Sequence, residues 1–346
     1  MKKVASISAF CILISFALLS TGYGDEEREG GKVKKMFVFG DSYADTGNLP
    51  SSVSRSWKPP YGITFPGKPS GRFSDGRVLT DYIASFVGIR SPFPYRQLKN
   101  LNTETIRYGI NFAHGGTGVF PTLQVDQPNM TTQIDFFQQL IDKKVYTCQD
   151  LRSSIALVSV AGNDYSTYLA RNGSFQGLPE LTRSVIKQLV LNVKRINGFG
   201  IKKIAITGIE PLGCLPRNTA AALYRNCNAA ENNFSESHNI LLQQHIWALN
   251  YETAAPVYKY LDLYNAFISA LKIGQNSPGN LTDTLKPCCG GVKGEDCGLV
   301  DNNGVKKYAV CKNPNQSFYW DSIHPSNEGW RAVYSALKPS LPSLLL

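Results

Sequence analysis

Short apolar runs alternate with segments of helical periodicity along most of the chain. Four runs lack polar alternation, which is typical of parallel strands that are covered on both faces. The predicted strands are Met36–Gly40, Ile155–Val160, Ile204–Thr207 and Val257–Leu263. Elsewhere, apolar residues recur every three or four positions, which predicts helices. The predicted helices are Val78–Val87, Thr132–Ile141, a segment from Leu181 that ends at Gly198 and Gly200, Ser235–Leu249 and Asn327–Leu337.

This alternation of strands and helices predicts right-handed βαβ units, and therefore an α/β protein with a doubly wound parallel sheet. In such sheets, functional sites form at the carboxyl ends of the strands. Two polar segments follow predicted strands directly, namely Gly40-Asp41-Ser42 and Gly162-Asn163-Asp164. We therefore expect both segments at the same edge of the sheet.

Ser42 is presented at the end of the first predicted strand. Gly40 allows the backbone to turn sharply there, so the serine hydroxyl is held at a rigid strand terminus. A serine in this position is a candidate nucleophile. The alternative interpretation is an ordinary polar turn after a strand.

A nucleophilic serine needs a base, and four histidines are available, namely His114, His238, His245 and His324. His324 follows Asp321 by three residues, in Asp321-Ser322-Ile323-His324-Pro325. This spacing lets the Asp321 carboxylate reach Nδ1 of His324 and leaves Nε2 free to accept the serine proton. The alternative is a polar turn that begins a helix.

Acyl transfer also needs hydrogen-bond donors for an oxyanion. Asn163 offers a side-chain amide at a strand end, and Gly115 and Gly116 offer backbone N–H groups on a glycine-rich loop. A turn asparagine and a flexible loop are the alternative interpretations. Phosphate binding by this loop is disfavoured, because it lacks the lysine of a P-loop and the spacing of a dinucleotide fingerprint.

The N-terminus resembles a secretory signal peptide. Lys2 and Lys3 precede an apolar stretch from Val4 to Leu19, and small residues follow. We therefore predict a signal peptide over residues 1–22, a polar segment over 23–34 and a single domain over 35–346. We expect a secreted, extracellular protein of the cell wall or apoplast. No other segment is long and apolar enough to predict a membrane span.

Cysteines and glycosylation sequons agree with secretion. Seven of the eight cysteines follow the predicted leader, so most should pair in an oxidising compartment. We expect Cys214 to pair with Cys227, and Cys148 to remain outside a second set formed by Cys288, Cys289, Cys297 and Cys311. Zinc is not expected, because no C-x-x-C pair occurs. Five sequons predict surface glycosylation sites, at Asn129, Asn172, Asn233, Asn280 and Asn315.

The formal net charge is +10, from 36 Lys and Arg against 26 Asp and Glu. The basic residues are scattered in pairs such as Lys34-Lys35 and Lys202-Lys203. This distribution is typical of a solvated surface and argues against a nucleic-acid partner. An acidic extracellular polymer would be attracted to the same surface.

Taken in order, these segments resemble the sequence blocks of the GDSL lipase/esterase family, also called SGNH hydrolases, and in particular its secreted plant branch. The matching blocks are Phe39–Asn48, Asn111–Gly118, Gly162–Asp164 and Asp321–Pro325. Further similarities are Gly71–Arg77, Pro211–Pro216, His238-Asn239 and Cys288–Gly290. The resemblance covers nearly all of the chain after the predicted leader.

The resemblance implies a flavodoxin-like αβα sandwich and an esterase that needs no metal or cofactor. It implies Ser42 as nucleophile, His324 as base and Asp321 as the acid that orients it. Asn163 and one loop glycine, for which Gly115 is favoured, would join the Ser42 N–H in the oxyanion hole. His114 departs from the family, where this position is more often small or hydroxylated, and packing or pocket lining is favoured for it over oxyanion donation.

The resulting hypothesis is hydrolysis of carboxylic esters of lipids, small molecules or polysaccharides through an acyl-enzyme on Ser42. An acyltransferase would use the same acyl-enzyme and give the acyl group to an alcohol or sugar. A third possibility is a secreted lipid- or carbohydrate-binding protein without activity. The presence of Ser42, Asn163, Asp321 and His324 together argues against that third possibility.

Overall fold

The computed structural model of the 346-residue chain describes residues 33–98, 102–123, 126–160, 162–276, 281, 283–291 and 297–345. The predicted leader therefore lies outside the described residues. The strands, numbered in chain order, are β1 Lys35–Gly40, β2 Phe93–Pro94, β3 Ile110–Asn111, β4 Ser154–Ser159, β5 Ile204–Thr207, β6 Tyr258–Leu261, β7 Asp283–Pro287, β8 Cys289–Gly290, β9 Ala309–Val310 and β10 Ser317–Tyr319.

Helices follow most strands of the main sheet, as expected for βαβ units. The α-helices are α1 Leu79–Phe86, α2 Thr103–Ile106, α3 Met130–Asp142, α4 Cys148–Arg152, α5 Gly162–Ala170, α6 Leu178–Gly198, α7 Pro216–Thr219, α8 Ala229–Thr253, α9 Leu263–Asn276 and α10 Asn327–Leu337. Helices α3, α6 and α8 pack in one layer, and α1, α9 and α10 pack in another. With the sheet between them, they form a flavodoxin-like three-layer αβα sandwich.

The main sheet has six parallel strands in the order β2-β3-β1-β4-β5-β6. Its central strands are fully buried, since Phe37, Val38, Ala156 and Leu157 have no exposed surface. The chain order reverses direction at β1, which places a topological switch point at the carboxyl ends of β1 and β4. Both segments predicted to follow strand ends, at Ser42 and Asn163, lie at this switch point.

The predicted elements agree with the structure where the apolar pattern is long or clearly bounded. The strand Ile204–Thr207 and the helix Asn327–Leu337 have the predicted bounds. The prediction of a strand to Leu263 is wrong, because β6 ends at Leu261 and α9 begins at Leu263. The side chain of Asp262 starts that helix by accepting a hydrogen bond from Asn265 N at 3.0 Å.

Three disulfides lie within the described residues. Cys214 is bonded to Cys227, as predicted. The second set forms as two bonds, Cys288 to Cys311 and Cys289 to Cys297, and Cys148 is exposed and takes part in none of the three disulfides. This second pair of bonds lies beside β10, because Cys288 N and Cys289 N donate to the carbonyls of Tyr319 and Trp320.

The four sequon asparagines within the described residues differ in exposure. Asn172, Asn233 and Asn315 are exposed, whereas Asn129 is half-buried. Asn129 caps α3, because its side-chain oxygen accepts from Thr132 N at 3.0 Å. Asn280 lies outside the described residues. A membrane-spanning candidate, meaning a helix of sufficient length and hydropathy, is absent from the described part of the chain.

Candidate active site

The end of β1 is held in place by a glycine and a glutamine. Gly40 has φ of +150°, and a Cβ there would lie 2.0 Å from the carbonyl oxygen of Ser159, so only glycine fits beside β4. The buried Gln133 side chain of α3 holds Gly40 with two hydrogen bonds. It accepts one from Gly40 N at 2.8 Å and donates one to Gly40 O at 2.9 Å. The turn that presents Ser42 is therefore rigid.

Ser42, His324 and Asp321 form a continuous hydrogen-bonded series. His324 Nε2 lies 2.8 Å from Ser42 Oγ, and His324 Nδ1 lies 2.9 Å from both carboxylate oxygens of Asp321. The three residues are 9%, 8% and 6% exposed, respectively. This geometry allows a proton to pass from the serine hydroxyl to the imidazole while the carboxylate fixes its tautomer.

The Asp321–His324 segment is a tight turn between β10 and α10. His324 O accepts a hydrogen bond from Trp320 N at 2.7 Å, which closes the turn. Asp321 Oδ1 accepts from Ile323 N at 2.9 Å and from His324 N at 2.8 Å. Ser326 then caps α10 by accepting from Gly329 N at 2.9 Å. The carboxylate and the ring are thus positioned by the same local backbone.

The environment of Asp321 favours its ionised form. Burial by itself would raise its pKa, but the nearby His324 and the hydrogen bonds from its ring and backbone lower the pKa below the ordinary value. Tyr61 adds a further hydrogen bond, donating from its hydroxyl to Asp321 Oδ2 at 2.8 Å. Tyr61 and Asp321 are 260 residues apart, so no local pattern in the sequence signals this contact.

Two aromatic rings enclose the imidazole. The ring of Phe73 lies 4.9 Å from that of His324, and the ring of Tyr43 meets it edge-on at 5.8 Å. The Tyr43 hydroxyl donates to the carbonyl of Ile323 at 3.0 Å, which ties the residue after Ser42 to the residue before His324. These contacts restrict rotation of the imidazole away from Ser42.

Asn163 is the second residue of α5, shortly after the end of β4, and its side chain points to the glycine loop. Its Nδ2 donates one hydrogen to the Thr117 carbonyl at 3.0 Å, which leaves the second hydrogen available. The Thr117 hydroxyl accepts a hydrogen bond from Gln133 Nε2 at 3.0 Å. Gln133 therefore bonds both Gly40 and the loop whose Thr117 carbonyl orients the Asn163 side chain.

The two loop glycines differ in their backbone N–H groups. Gly115 N donates to Asp45 Oδ2 at 2.9 Å, so its hydrogen is directed away from the serine. This differs from the prediction that favoured Gly115 as an oxyanion donor. Gly116 has φ of +84°, a conformation that favours glycine, and its N–H has no acceptor within the described residues. The Ser42 N–H likewise has no acceptor within the described residues. Ser42, Gly116 and Asn163 line one cavity.

Asp45 organises the loops around the site. This fully buried carboxylate accepts backbone hydrogen bonds from Gly47 at 2.7 Å, Asn48 at 2.6 Å, Leu49 at 3.1 Å and Gly115 at 2.9 Å. Burial raises its pKa, although the neighbouring His114 and the N–H donors oppose that effect. Asp45 thereby fixes the His114–Gly115 peptide, one residue before Gly116.

His114 has a packing role in this arrangement. It is 4% exposed and is not among the residues that line the catalytic cavity. Its Nδ1 lies 2.9 Å from the Phe112 carbonyl, and burial lowers its pKa. Of the roles considered from sequence, the geometry favours packing beneath the loop.

We expect Asp45→Asn to lower kcat about tenfold to a hundredfold, with KM changed by less than about threefold. An amide at this position turns a donor toward one of the backbone N–H groups, so the loop that bears Gly116 shifts without loss of the substrate-binding surface. Steady-state kinetics on a soluble ester, with a thermal unfolding curve to verify folding, measures the effect. An unchanged kcat in a folded variant would show that Asp45 does not position this loop.

The catalytic cavity has a volume of about 190 Å³ and reaches from Ser42 and His324 to the ends of β4 and β5. Its wall includes a buried carboxylate, Glu210, whose pKa is raised by burial while the nearby Arg217 opposes that effect. Asp41 also lines the cavity, and burial raises its pKa well above the usual value. Apart from these groups and Arg217, the cavity is lined by neutral side chains and His324.

Ser42, His324 and Asp321 follow one another in hydrogen-bond contact at the switch point of an α/β sheet, which is the arrangement of a serine ester hydrolase. The GDSL-like Lipase/Acylhydrolase family matches residues 36–337 of the chain. The chain belongs to this family and is a carboxylic ester hydrolase.

Three similar proteins illustrate the relationship. A GDSL esterase/lipase of Arabidopsis thaliana is 52% identical over 316 residues, which cover 90% of this chain and 88% of that protein. A second Arabidopsis GDSL esterase/lipase is 47% identical over 341 residues, 96% of each chain. Acetylajmalan esterase 2 of Rauvolfia serpentina is 30% identical over 334 residues, 88% of this chain and 90% of that protein.

Proposed function

We propose that this esterase acts through a covalent acyl-enzyme on Ser42, with His324 as general base and Asp321 as the residue that orients it. The observation that supports this assignment is the unbroken series from Ser42 Oγ through the imidazole to Asp321, with contacts of 2.8 and 2.9 Å. The polar groups at the opposite ends of the chain are brought together only by the fold.

In the first half of the reaction, His324 Nε2 accepts the Ser42 proton as Oγ attacks the ester carbonyl carbon. The carbonyl oxygen becomes an oxyanion, and the imidazolium is stabilised by Asp321. When the tetrahedral intermediate collapses, His324 returns the proton to the leaving alcohol. Water then attacks the acyl-enzyme with His324 again as base, which releases the carboxylic acid and restores Ser42.

The proposed oxyanion hole consists of Ser42 N–H, Gly116 N–H and the second amide hydrogen of Asn163. These three donors line the same cavity, and none of these hydrogens is used by an acceptor within the described residues. Preorganised donors of this kind stabilise the charge that develops in the transition state.

We expect Asn163→Ala to lower kcat by about 10²–10³, because one oxyanion donor is lost. KM should change little, since the donor acts mainly in the transition state. Asn163→Asp removes the same donor and adds a negative charge, so its kcat should fall further. Equal kcat for wild-type protein and Asn163→Ala would contradict the assignment.

Active-site labelling tests the nucleophile directly. A fluorophosphonate should modify wild-type protein once, and peptide mapping should locate the adduct on Ser42. Ser166→Ala provides a matched control, because Ser166 also lines the cavity but has no histidine partner, and it should label like wild type. Labelling of Ser42→Ala to the same extent as wild type would refute the mechanism.

The substrates we propose are carboxylic esters of small molecules, lipids or cell-wall polymers. The relative named acetylajmalan esterase 2 supports small acylated molecules as one such class. The positive surface supports attraction to an acidic polymer. Comparison of kcat/KM on soluble esters with release of acid from isolated cell-wall material separates these two classes.

We also propose that the protein is secreted and N-glycosylated. The predicted leader over residues 1–22, the three disulfides and the exposed sequons at Asn172, Asn233 and Asn315 support this proposal. Expression of the full chain with a C-terminal tag in plant cells should give tagged protein in the medium. Its mass should fall on treatment with a peptide N-glycosidase, and retention in the cytosol would contradict the proposal.

A further inference from the structure

An apolar groove of about 280 Å³ adjoins the catalytic cavity. Most of the side chains that line it are apolar, namely Tyr165, Leu169, Phe175, Leu178, Leu212, Ala230 and Phe234. Two of these side chains are unusually open to solvent, since Leu169 is 40% and Phe175 71% exposed. An open apolar groove is a site for the apolar part of a ligand.

The groove shares part of its wall with the catalytic cavity. Ser166, Leu212 and Arg217 line both spaces. Arg217 Nη2 donates to Ser166 Oγ at 3.1 Å, so these two side chains form the boundary between them. A substituent of a substrate bound at Ser42 therefore has to pass this pair to enter the groove.

The walls of the groove are held by the surrounding fold. Tyr165 is 2% exposed, donates or accepts a hydrogen bond with His238 Nδ1 at 2.7 Å, and packs edge-on against Phe234 with 4.6 Å between ring centres. The opposite wall is fixed because Leu212 N donates to Ser235 Oγ at 3.2 Å. The groove is therefore preformed, which lowers the entropic cost of ordering a ligand there.

The size of the catalytic cavity requires such an extension for larger substrates. At about 190 Å³ it is smaller than the ~300–1,000 Å³ of pockets that hold drug-sized ligands. The catalytic cavity accommodates the ester group and a short substituent, whereas a longer substituent must extend beyond the cavity. The groove is an adjoining apolar space into which such a substituent can pass.

The position of the groove favours the acyl side of the ester. The leaving oxygen must lie beside His324 Nε2, which returns the proton to it. No residue of the Asp321–His324 segment lines the groove, whereas Tyr165, Ser166 and Leu169 belong to α5, the helix that begins beside Asn163. The substituent that points from the carbonyl carbon toward α5 is then the acyl chain.

We propose that this groove binds the acyl chain, and that the enzyme prefers esters of medium-chain fatty acids over acetate esters. The inference rests on the proposed function, because it assumes that the ester carbonyl lies at Ser42. It assigns substrate selectivity to Leu169 and Phe175, which lie outside the catalytic cavity.

A pair of matched double variants tests the groove. Leu169→Gln with Phe175→Ala makes it less apolar without adding charge. Leu191→Gln with Trp247→Ala changes a leucine and an aromatic residue that are 53% and 70% exposed on other helices. The measured quantity is the ratio of kcat/KM on p-nitrophenyl octanoate to that on p-nitrophenyl acetate, with both esters below the concentration at which they aggregate.

We expect the groove double variant to lower this ratio by about tenfold or more, because several methylenes lose an apolar contact. The control double variant should keep the wild-type ratio. An unchanged ratio in the groove variant would overturn the proposal. With ethyl octanoate and octyl acetate as a second pair, a loss confined to octyl acetate would overturn the assignment to the acyl side.

A binding measurement distinguishes failure of the groove from failure of the proposed function. Calorimetry with octanoate on Ser42→Ala protein should show binding that the groove substitutions weaken about tenfold. If wild-type protein hydrolyses no ester while this binding persists, the mechanism at Ser42 fails and the groove stands. If p-nitrophenyl acetate is hydrolysed and the groove substitutions change neither binding nor the ratio, the groove fails and the mechanism stands.

Discussion

Replacement of Ser42 by alanine is expected to lower kcat by about 10⁶, the loss found when a serine nucleophile is removed from a triad. The substitution removes the atom that forms the acyl-enzyme in the proposed mechanism and leaves His324, Asp321 and the proposed oxyanion donors in place. Activity should not return at high pH, because no change in protonation replaces the missing Oγ. Initial rates on p-nitrophenyl esters, measured with enough protein to resolve the residual rate, give this value.

The fold should tolerate the change. The Ser42 side chain makes one hydrogen bond, to His324, and its loss costs about 1 kcal/mol in the free energy of unfolding. A thermal unfolding curve near that of wild type therefore accompanies the loss of turnover. Ser166→Ala should retain activity within about tenfold, since Ser166 only bonds Arg217 and the Gly162 carbonyl. A Ser42→Ala protein with more than about one hundredth of wild-type activity would exclude Ser42 as nucleophile.

The second largest effect is expected for Asp321→Asn, which should lower kcat by about 10⁴. The Asp321 carboxylate accepts from His324 Nδ1 and so keeps the Nε2 lone pair directed at Ser42. An asparagine amide donates at this position, which favours the opposite tautomer, with a hydrogen on Nε2. That tautomer cannot accept the serine proton. Steady-state kinetics and fluorophosphonate labelling should both slow by a similar factor.

Tyr61→Phe provides the control for this prediction. It removes the hydroxyl that donates to Asp321 Oδ2 at 2.8 Å but keeps the carboxylate and its bonds to His324. We expect kcat to fall by less than about tenfold, because one of several donors to the carboxylate is lost. If Tyr61→Phe were as damaging as Asp321→Asn, the orientation of the imidazole would depend on the tyrosine rather than on the carboxylate.

Both ends of the site are recognisable from short local patterns in the sequence. Asp321 and His324 are three residues apart, and their contact forms within one turn, so the spacing alone suffices to predict it. Gly40-Asp41-Ser42 is likewise local, because a glycine after a buried strand predicts a sharp turn. The strands β1, β4 and β5 were predictable for the same reason, since their apolar runs are continuous and fully buried.

Other parts of the fold lacked such local signals. Strands β2 and β3 have two residues each, which is too short for a pattern, although they complete the sheet to six strands. The end of β6 was overestimated because Leu263, which begins α9, is as apolar as the strand before it. Pairing with neighbouring strands defines β2 and β3, whereas the Asp262 side chain sets the start of α9.

The type of fold, the contact of Asp321 with His324 and the candidate serine are predictable from the sequence, because each depends on residues that are close along the chain. The folded structure alone brings His324 within 2.8 Å of Ser42 across 282 residues, and it places the Tyr61 hydroxyl on the Asp321 carboxylate. It also directs the Gly115 N–H to the distant Asp45 carboxylate, whereas the Gly116 N–H has no acceptor within the described residues. Contacts between distant segments depend on packing of the whole sandwich, and no local pattern encodes them.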